Sequence, residues 1–318
     1  MAPGTQRRLH FEKKVPYKNN SPGATRRKQI AVGTLAAIGK GSYSIDDTTY
    51  PLSSDVEGSK QHTRYYGPDS ILADWEQSRP TLSGGTSPTA TDISFLEIST
   101  LEGARYLASR TSDTIGVLNF ASAKKPGGGF LGGASAQEES IARSSALYPT
   151  LMTSEGQKFY VLHKNDPHAG YYTHAMIYSP GVTLFRDDSG GWLEPLKVDV
   201  LTSPAVNAGV VRKTVRARLA PDGEEAQIRR VMKERMGRLL YLFEREGVKH
   251  LVLGSFGTGV FRNDIPTIAE IWAELLGTSS TRFGSSFETI LFAVIGGKTF
   301  EQLRDSFEES IRSASSSG

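Results

Sequence analysis

Two adjacent carboxylates, Glu138 and Glu139, follow a loop in which five of the seven residues 127–133 are glycine. Acidic side chains in the first turn of a helix commonly complement its dipole, so helix propensity alone explains the pair without any function. Beside a loop suited to bind phosphate, however, negative charge costs electrostatic energy unless the chemistry requires it. We therefore interpret the two glutamates as candidates for general acid–base catalysis.

The two glutamates cannot act as a facing pair. Neighbouring residues of a helix point about 100° apart, whereas an ordinary glycosidase places its two carboxylates on opposite sides of the scissile bond. Glu138 and Glu139 are consequently expected to have different roles.

Two glycine-rich loops are predicted at one edge of a sheet. The first covers residues 119–133 and the second residues 254–261, and each includes the end of a predicted strand and precedes a predicted helix. Glycine lets the backbone approach a ligand closely and turn its N–H groups inward. Open α/β sheets bind ligands at the carboxyl ends of their strands, so the two loops together favour an anionic ligand such as a diphosphate. Neither loop ends in the Gly-Lys-Ser/Thr of a P-loop.

The elements that must position these loops follow the pattern of a layered α/β sheet. Residues 92–98 predict a strand, residues 101–109 a helix with Ser99 or Thr100 as N-cap, and residues 115–120 a strand buried on both faces. Strand, helix and strand in succession are typical of a layered α/β fold. The later predictions are helices near 135–147 and over 224–245, 264–276 and 300–311, and strands near 175–179, 198–202, 250–254 and 289–295.

Composition excludes several classes of protein. The 318 residues contain no cysteine, which removes disulfides, thiolate nucleophiles and cysteine-ligated zinc. No apolar run approaches the roughly 20 residues needed to cross a bilayer, and the N-terminus lacks the pattern of a secretory signal. We therefore expect an intracellular protein, nuclear or cytoplasmic, without a membrane partner.

The charge is concentrated at the N-terminus. Residues 1–28 hold eight Lys or Arg and one acid, a charge of +7, and subtracting this from the net +3 leaves −4 for the remainder. Such an arm could direct nuclear import or bind nucleic acid or another polyanion, while a solvated tail is the simpler interpretation. We predict a disordered basic arm (1–24), a mainly helical extension packed on the core (25–91), a catalytic core (92–312) and a frayed tail (313–318).

The triple glycine at residues 127–129, a spacer of seven residues and the sequence Gln137-Glu138-Glu139 together resemble the signature of poly(ADP-ribose) glycohydrolases. The segments VLNFASA and ARSSALYPTL are similar to the microbial-type branch, and the resemblance extends over residues 26–312. It implies a macrodomain-like three-layer α/β/α fold with a mixed sheet. It also implies hydrolysis of the ribose–ribose O-glycosidic bonds of poly(ADP-ribose), without a cofactor or a metal.

The resemblance assigns roles residue by residue. Glu139 would protonate the leaving oxygen and then activate water, and Glu138 would hold ribose hydroxyls. Because loop N–H donors and a helix N-terminus favour a carboxylate over an acid, we expect Glu139 to become a competent acid mainly in the substrate complex. The implied substrate-binding residues are Asn119, Gly127, Gly128, Gly129, Phe130, Gln137, Gly257, Thr258, Gly259, Val260 and Phe261.

The implied partners are poly(ADP-ribose) and ADP-ribosylated proteins, with ADP-ribose as the product, and we expect a monomer. The family often carries Trp and Cys where this chain has Phe256 and Thr258. Two other functions stay open: a macrodomain that binds ADP-ribose without turnover, and a hydrolase that removes single ADP-ribose units from proteins. The carboxylate pair favours an enzyme, because a binding module has no need of negative charge beside phosphate.

Three histidines, His163, His168 and His174, fall within twelve residues. Their spacings of five and six do not place them on one face of a helix, so we interpret them as surface residues rather than metal ligands. The spacing of Asp187, Asp188 and Asp199 likewise does not require a cation.

Overall fold

The computed structural model describes residues 9–11, 23–78, 90–165 and 169–316. The strands are β1 (Leu9–Phe11), β2 (Ser42–Ile45), β3 (Thr48–Pro51), β4 (Arg64–Tyr66), β5 (Asp92–Leu96), β6 (Ile115–Phe120), β7 (Met176–Arg186), β8 (Trp192–Ser203), β9 (His250–Leu253) and β10 (Thr289–Ala293). Eight of the strands in these ranges form one sheet in the order β1-β5-β10-β9-β6-β8-β7-β4, and β2 and β3 form a separate hairpin.

The sheet is mixed. The six strands from β1 to β8 in this order run parallel to their neighbours, whereas β7 is antiparallel to β8 and β4 is antiparallel to β7. The helices are α1 (Ala24–Lys40), α2 (Ser53–His62), α3 (Thr100–Ala108), α4 (Gln137–Ser144), α5 (Leu147–Leu151), α6 (Ser154–Lys164), α7 (Ala208–Val211), α8 (Val215–Leu219), α9 (Pro221–Arg245), α10 (Ile265–Leu276) and α11 (Gly297–Ser316).

Helices cover both faces of the sheet. Successive side chains of a strand point to opposite faces, and in β9 Leu251 and Leu253 lie in the core formed with α9, α10 and α11, while Val252 lies in the core formed with α3 to α6. This arrangement confirms the predicted three-layer α/β/α fold.

Among the described helices, none has both the length and the apolar character that a bilayer crossing requires.

Several elements differ from their predictions because tertiary contacts override local sequence patterns. The helix predicted near 135–147 breaks at Ser145, which is extended and bridges to Leu184 of β7. The strands predicted near 175–179 and 198–202 are the paired ends of a long antiparallel hairpin, with a bulge between Ser179 and Val182. Residues 42–78, part of the predicted mainly helical extension, contain the β2–β3 hairpin, α2, β4 and a 3₁₀ turn over Ile71–Asp74.

Part of the predicted disordered arm is ordered. Strand β1 pairs in parallel with β5, with Leu9 opposite Ile93. The physical reason is that the edge of β5 offers unpaired backbone groups, and backbone pairing needs no hydrophobic pattern in the added strand. The remaining residues of the arm up to residue 22, and the end of the predicted tail at 317–318, lie outside the described residues. The division into extension and core stays a prediction.

Helix α3 begins as predicted. Ser99 is its N-cap, where its hydroxyl accepts a hydrogen bond from the Glu102 N–H at 3.1 Å while the Glu102 carboxylate accepts from the Ser99 N–H at 2.8 Å. This reciprocal capping satisfies two N–H groups that a helix start would otherwise leave unpaired.

Helix α1 packs behind the glycine loop and α4. The buried Thr34 hydroxyl donates to the Arg143 carbonyl at 2.5 Å and accepts from Arg186 Nε at 2.9 Å. Ala31 of α1 packs with Phe130 and Ala142 in a small apolar cluster. Helix α1 therefore supports the segment that carries the two glutamates.

We predict that Thr34→Val destabilises the fold by about 1–3 kcal/mol, because valine keeps the shape but leaves the Arg143 carbonyl without this donor. Urea unfolding would measure the change in the free energy of unfolding. Thr48→Val, at an exposed position of β3, is the matched control and should change it by less than about 0.5 kcal/mol. Equal effects of the two substitutions would contradict the proposed anchoring role of Thr34.

Candidate functional site

A cavity of about 500 Å³ lies at the carboxyl ends of β6, β9 and β10, beside the N-terminus of α4. Parallel α/β sheets typically bind ligands at this end of their strands. Nine of the predicted site residues line it: Gly128, Gly129, Gln137, Glu138, Glu139, Gly257, Gly259, Val260 and Phe261. The two glycine loops and the two glutamates therefore meet in one cavity.

The loop backbone holds Glu139. Its Oε1 accepts a hydrogen bond from the Gly129 N–H at 2.8 Å, and its side chain is largely buried. Gly128 has a φ of +60°, and a Cβ placed there would lie 2.4 Å from Glu139 Oε1 and 2.9 Å from Glu138 Oε2. Only glycine allows the loop to turn this tightly between the two carboxylates.

Glu138 is more deeply buried, with 2% of its surface exposed. Its Oε2 accepts from the Ser122 N–H at 2.7 Å, and its Oε1 accepts a longer bond from Asn119 Nδ2 at 3.4 Å. Burial raises the pKa of Glu138 to about 8, the nearby negative charge of Glu139 adds to the effect, and the hydrogen bonds from Ser122, Asn119 and Gly127 oppose it. Glu138 is consequently mostly neutral at pH 7.

Gln137 fastens the start of α4 to the sheet. Its Oε1 accepts from the Phe120 N–H at 2.9 Å, and its Nε2 donates to the Leu118 carbonyl at 2.7 Å and to Thr100 Oγ1 at 3.2 Å. The side-chain amide is thus engaged with the end of β6. Although Gln137 lines the cavity, these contacts indicate that it positions the glutamates.

The second loop is closed by a buried asparagine. Asn263 Nδ2 donates to the Gly257 carbonyl at 2.9 Å and to the Val206 carbonyl at 2.7 Å. Gly257 has a φ of +76°, and a Cβ there would lie 2.4 Å from Ala205 Cβ, so the loop requires glycine at this turn. The loop presents Val260, which is 79% exposed, and the partly buried Phe261 at the cavity.

Four predicted binding residues lie outside the cavity lining: Asn119, Gly127, Phe130 and Thr258. Asn119 is fully buried behind Glu138, and Phe130 is fully buried under the loop against Tyr148, with ring centroids 5.0 Å apart. The Thr258 hydroxyl donates to the Ser255 carbonyl at 3.0 Å. Sequence spacing places Asn119 near the end of β6 and the other three residues in the loops, but it cannot show which of them the fold covers.

The sequence did not indicate several residues that line the cavity. Asp188 accepts a hydrogen bond from the Ser99 hydroxyl at 2.6 Å, and burial raises the pKa of its carboxyl. Lys125 supplies an exposed positive charge at the mouth of the cavity. Ile295, which follows β10, lies on the rim of the cavity. Asp188 reaches the cavity only because the β7–β8 hairpin brings it there, which no local pattern reveals.

His163 and His174, two of the three histidines considered as metal ligands, have different surroundings. His163 is fully buried, and its Nε2 lies 2.8 Å from Thr173 Oγ1. Burial, with a smaller effect of nearby Arg235, lowers the pKa of His174 to about 2, so it is neutral. His168 lies outside the described residues. The surface position predicted for His163 is therefore wrong.

We predict that Glu138→Gln changes how stability depends on pH. A folded-state pKa of about 8, against an ordinary 4.5, means that the wild-type contribution is complete below about pH 4.5 and is lost as pH rises to about 8. Glutamine has no proton to lose, so the variant should gain stability relative to wild type by up to about 1.4 kcal/mol for each pH unit in this window. Urea unfolding between about pH 5 and 8.5 measures this difference, with Glu155→Gln, at a partly exposed side chain of α6, as the control. Parallel profiles for wild type and Glu138→Gln would refute the raised pKa.

Comparisons with known proteins identify one family. The family model described as "Microbial-type PARG, catalytic domain" matches residues 31–187. No curated protein gives a significant match.

Solved structures of two bacterial proteins are similar to this chain. Poly(ADP-ribose) glycohydrolase from Thermomonospora curvata is 36% identical, with a TM-score of 0.79, over 90% of this chain and 99% of that one. The same protein bound to the inhibitor ADP-HPD gives 35% identity and a TM-score of 0.76, with the same coverage. The Deinococcus radiodurans glycohydrolase in complex with ADP-ribose is 35% identical, with a TM-score of 0.69, over 81% of this chain and 97% of that one. The chain therefore belongs to the microbial-type poly(ADP-ribose) glycohydrolase family.

Proposed function

We propose that this chain hydrolyses the ribose–ribose O-glycosidic bonds of poly(ADP-ribose) and releases ADP-ribose, with Glu139 as the general acid and base. The observation that carries the proposal is the Glu139 carboxylate, held by the Gly129 N–H at 2.8 Å inside a cavity bounded by two glycine loops. Relatives in the family have been seen with ADP-ribose and with the inhibitor ADP-HPD, which supports the same class of ligand for this cavity.

Glu139 would act twice in the reaction. It first gives its proton to the oxygen of the departing ribose as the bond from that oxygen to the anomeric carbon breaks, leaving an oxocarbenium-like centre. It then takes a proton from the water molecule that adds to the anomeric carbon, which restores the acid. The hydrogen bond from Gly129 fixes the orientation of the carboxyl group for both steps.

Glu138 suits a different role. A carboxyl group that is neutral at pH 7 can donate its own proton to a ribose hydroxyl while its other oxygen accepts from the Ser122 N–H. Neutrality also removes the repulsion that a negative charge on Glu138 would exert on the substrate phosphates. We assign Glu138 to holding the ribose beside the scissile bond.

The loops would hold the rest of the ADP-ribose unit. The backbone of Gly128 and Gly129 and that of Gly257 and Gly259 border the cavity on two sides, and the ammonium group of Lys125 adds positive charge at its mouth. A diphosphate between these loops would be compensated by N–H donors and by this charge. Phe261 offers an apolar surface for the adenosine part.

We predict that Glu139→Gln lowers kcat on poly(ADP-ribose) by about 10²- to 10⁴-fold, the usual contribution of general acid–base catalysis. Glutamine keeps an oxygen for the Gly129 N–H, so affinity for ADP-ribose should change by less than about threefold. Released ADP-ribose is measured by chromatography and binding by calorimetry. Glu155→Gln, at a surface carboxylate of α6 paired with Lys158 at 2.5 Å, should match wild type. A Glu139→Gln protein that releases ADP-ribose at the wild-type rate would exclude Glu139 as the catalytic residue.

The product distinguishes hydrolysis from binding. Wild-type protein incubated with an automodified polymer-carrying protein should release free ADP-ribose and shorten the chains. Polymer retained at full length together with tight binding would identify a binding module instead. Release from singly modified protein alone would identify a hydrolase of mono-ADP-ribosyl linkages.

A further inference from the structure

A second group of polar side chains lies at the opposite end of the strands from the cavity. Three neighbouring parallel strands begin there. His250 is the first residue of β9, the middle strand of the three. Asp113 comes two residues before β6, and Glu288 directly precedes β10. Because the starts of adjacent parallel strands lie side by side, one carboxylate flanks the imidazole on each side.

The ligand atoms of this cluster are close enough to share one ion. His250 Nε2 lies 3.7 Å from Asp113 Oδ2 and 3.7 Å from Glu288 Oε2, and the three ligand atoms all lie within 4.8 Å of one another. Donor atoms about 2.1 Å from a tetrahedral zinc ion are about 3.4 Å apart. The imidazole already has nearly this spacing to each carboxylate, and both carboxylates are about half exposed, so their side chains are free to close the remaining gap.

The buried imidazole of His250 is a second, independent observation that indicates a ligand. His250 is only 7% exposed, and its Nε2 is buried without a hydrogen-bond partner among the described residues. Its distance to each carboxylate, 3.7 Å, is too long for a hydrogen bond. A buried polar atom that faces two carboxylates without bonding to either costs free energy unless something between them satisfies it.

Lys249 is the group that would compete with a metal. Its Nζ lies 3.2 Å from Asp113 Oδ2 and 3.2 Å from Glu288 Oε1. The lysine is half exposed on a flexible stem and is therefore able to swing into solvent. The two carboxylates carry one negative charge more than the single ammonium group of Lys249 balances, so the cluster retains an attraction for a cation.

We propose that Asp113, His250 and Glu288 form a binding site for a divalent transition metal of the zinc class. One imidazole nitrogen and two carboxylate oxygens are ligands that zinc accepts, with water in the fourth position, whereas Mg²⁺ and Ca²⁺ prefer oxygen ligands alone. A metal there ties together the starts of β6, β9 and β10, the strands that carry the catalytic cavity at their other ends. The site stabilises the sheet and takes no part in the reaction.

The test uses the untagged full-length protein after treatment with EDTA and titrates it with ZnCl₂ in a calorimeter. Wild type should bind one equivalent, and at zinc about 100-fold above Kd its Tm should rise by about 4 °C. His250→Gln and Glu288→Gln should each weaken binding by at least about tenfold, since even partners beyond the ligands contribute that much. Glu288 is half exposed, so its variant should fold even if the buried His250 variant does not.

Two further variants sharpen the test. His62→Gln, at an exposed histidine of α2, is the matched control and should bind zinc as wild type does. Lys249→Met removes the competing ammonium and should tighten zinc binding. The proposal is overturned if wild type binds no stoichiometric zinc, if Glu288→Gln binds as tightly as wild type, if His62→Gln loses the site, or if Lys249→Met weakens it.

Discussion

The burial of two adjacent carboxylates at the start of one helix is the constraint on which the site depends. Two negative charges so close together in one cavity would repel each other and any phosphate nearby. The structure meets this constraint by giving the two groups different surroundings. Glu138 is withdrawn from water, with a raised pKa, whereas Glu139 is less deeply buried and is bonded by the Gly129 N–H. The proposed division of roles follows from this difference.

Much of the surrounding structure serves to hold the loop and α4 in place. Arg143 of α4 donates to the Ala134 carbonyl at 2.5 Å, and Arg27 of α1 donates to the Gly133 carbonyl at 2.6 Å. Both hydrogen bonds hold the backbone in place between the triple glycine and the two glutamates. Thr34 joins α1 to α4 from behind. The N-terminal helix therefore belongs to the support of the catalytic loop.

The sequence predicted what depends on local patterns. Strand β6 is predicted to the residue because its apolar β-branched run is buried on both faces, and the Ser99 cap is found because capping needs only a side chain three residues from its partner. The glycine loops and the glutamate pair were likewise visible. The β2–β3 hairpin, the break at Ser145 and the approach of Asp188 depend on contacts between distant segments, which the local pattern does not contain.

The proposed site residues likewise divide into those that local sequence patterns predict and those that depend on tertiary contacts. The positive φ angles of Gly128 and Gly257 could be expected from glycine at tight turns. The full burial of Asn119 in β6 and of Phe130 under the loop could not, because residue spacing does not show which distant segments cover a side chain. The use of Gln137 as a clamp on β6 depends equally on tertiary geometry.

A crystal structure of the wild-type protein with ADP-ribose would test the proposed roles of Glu139 and the two glycine loops together. We expect the diphosphate to lie between the loops that contain Gly128 and Gly257. We also expect the anomeric carbon of the terminal ribose to lie within about 4 Å of the Glu139 carboxylate, as general acid–base catalysis through at most one water requires. A diphosphate outside both loops, or a terminal ribose turned away from Glu139, would contradict these roles.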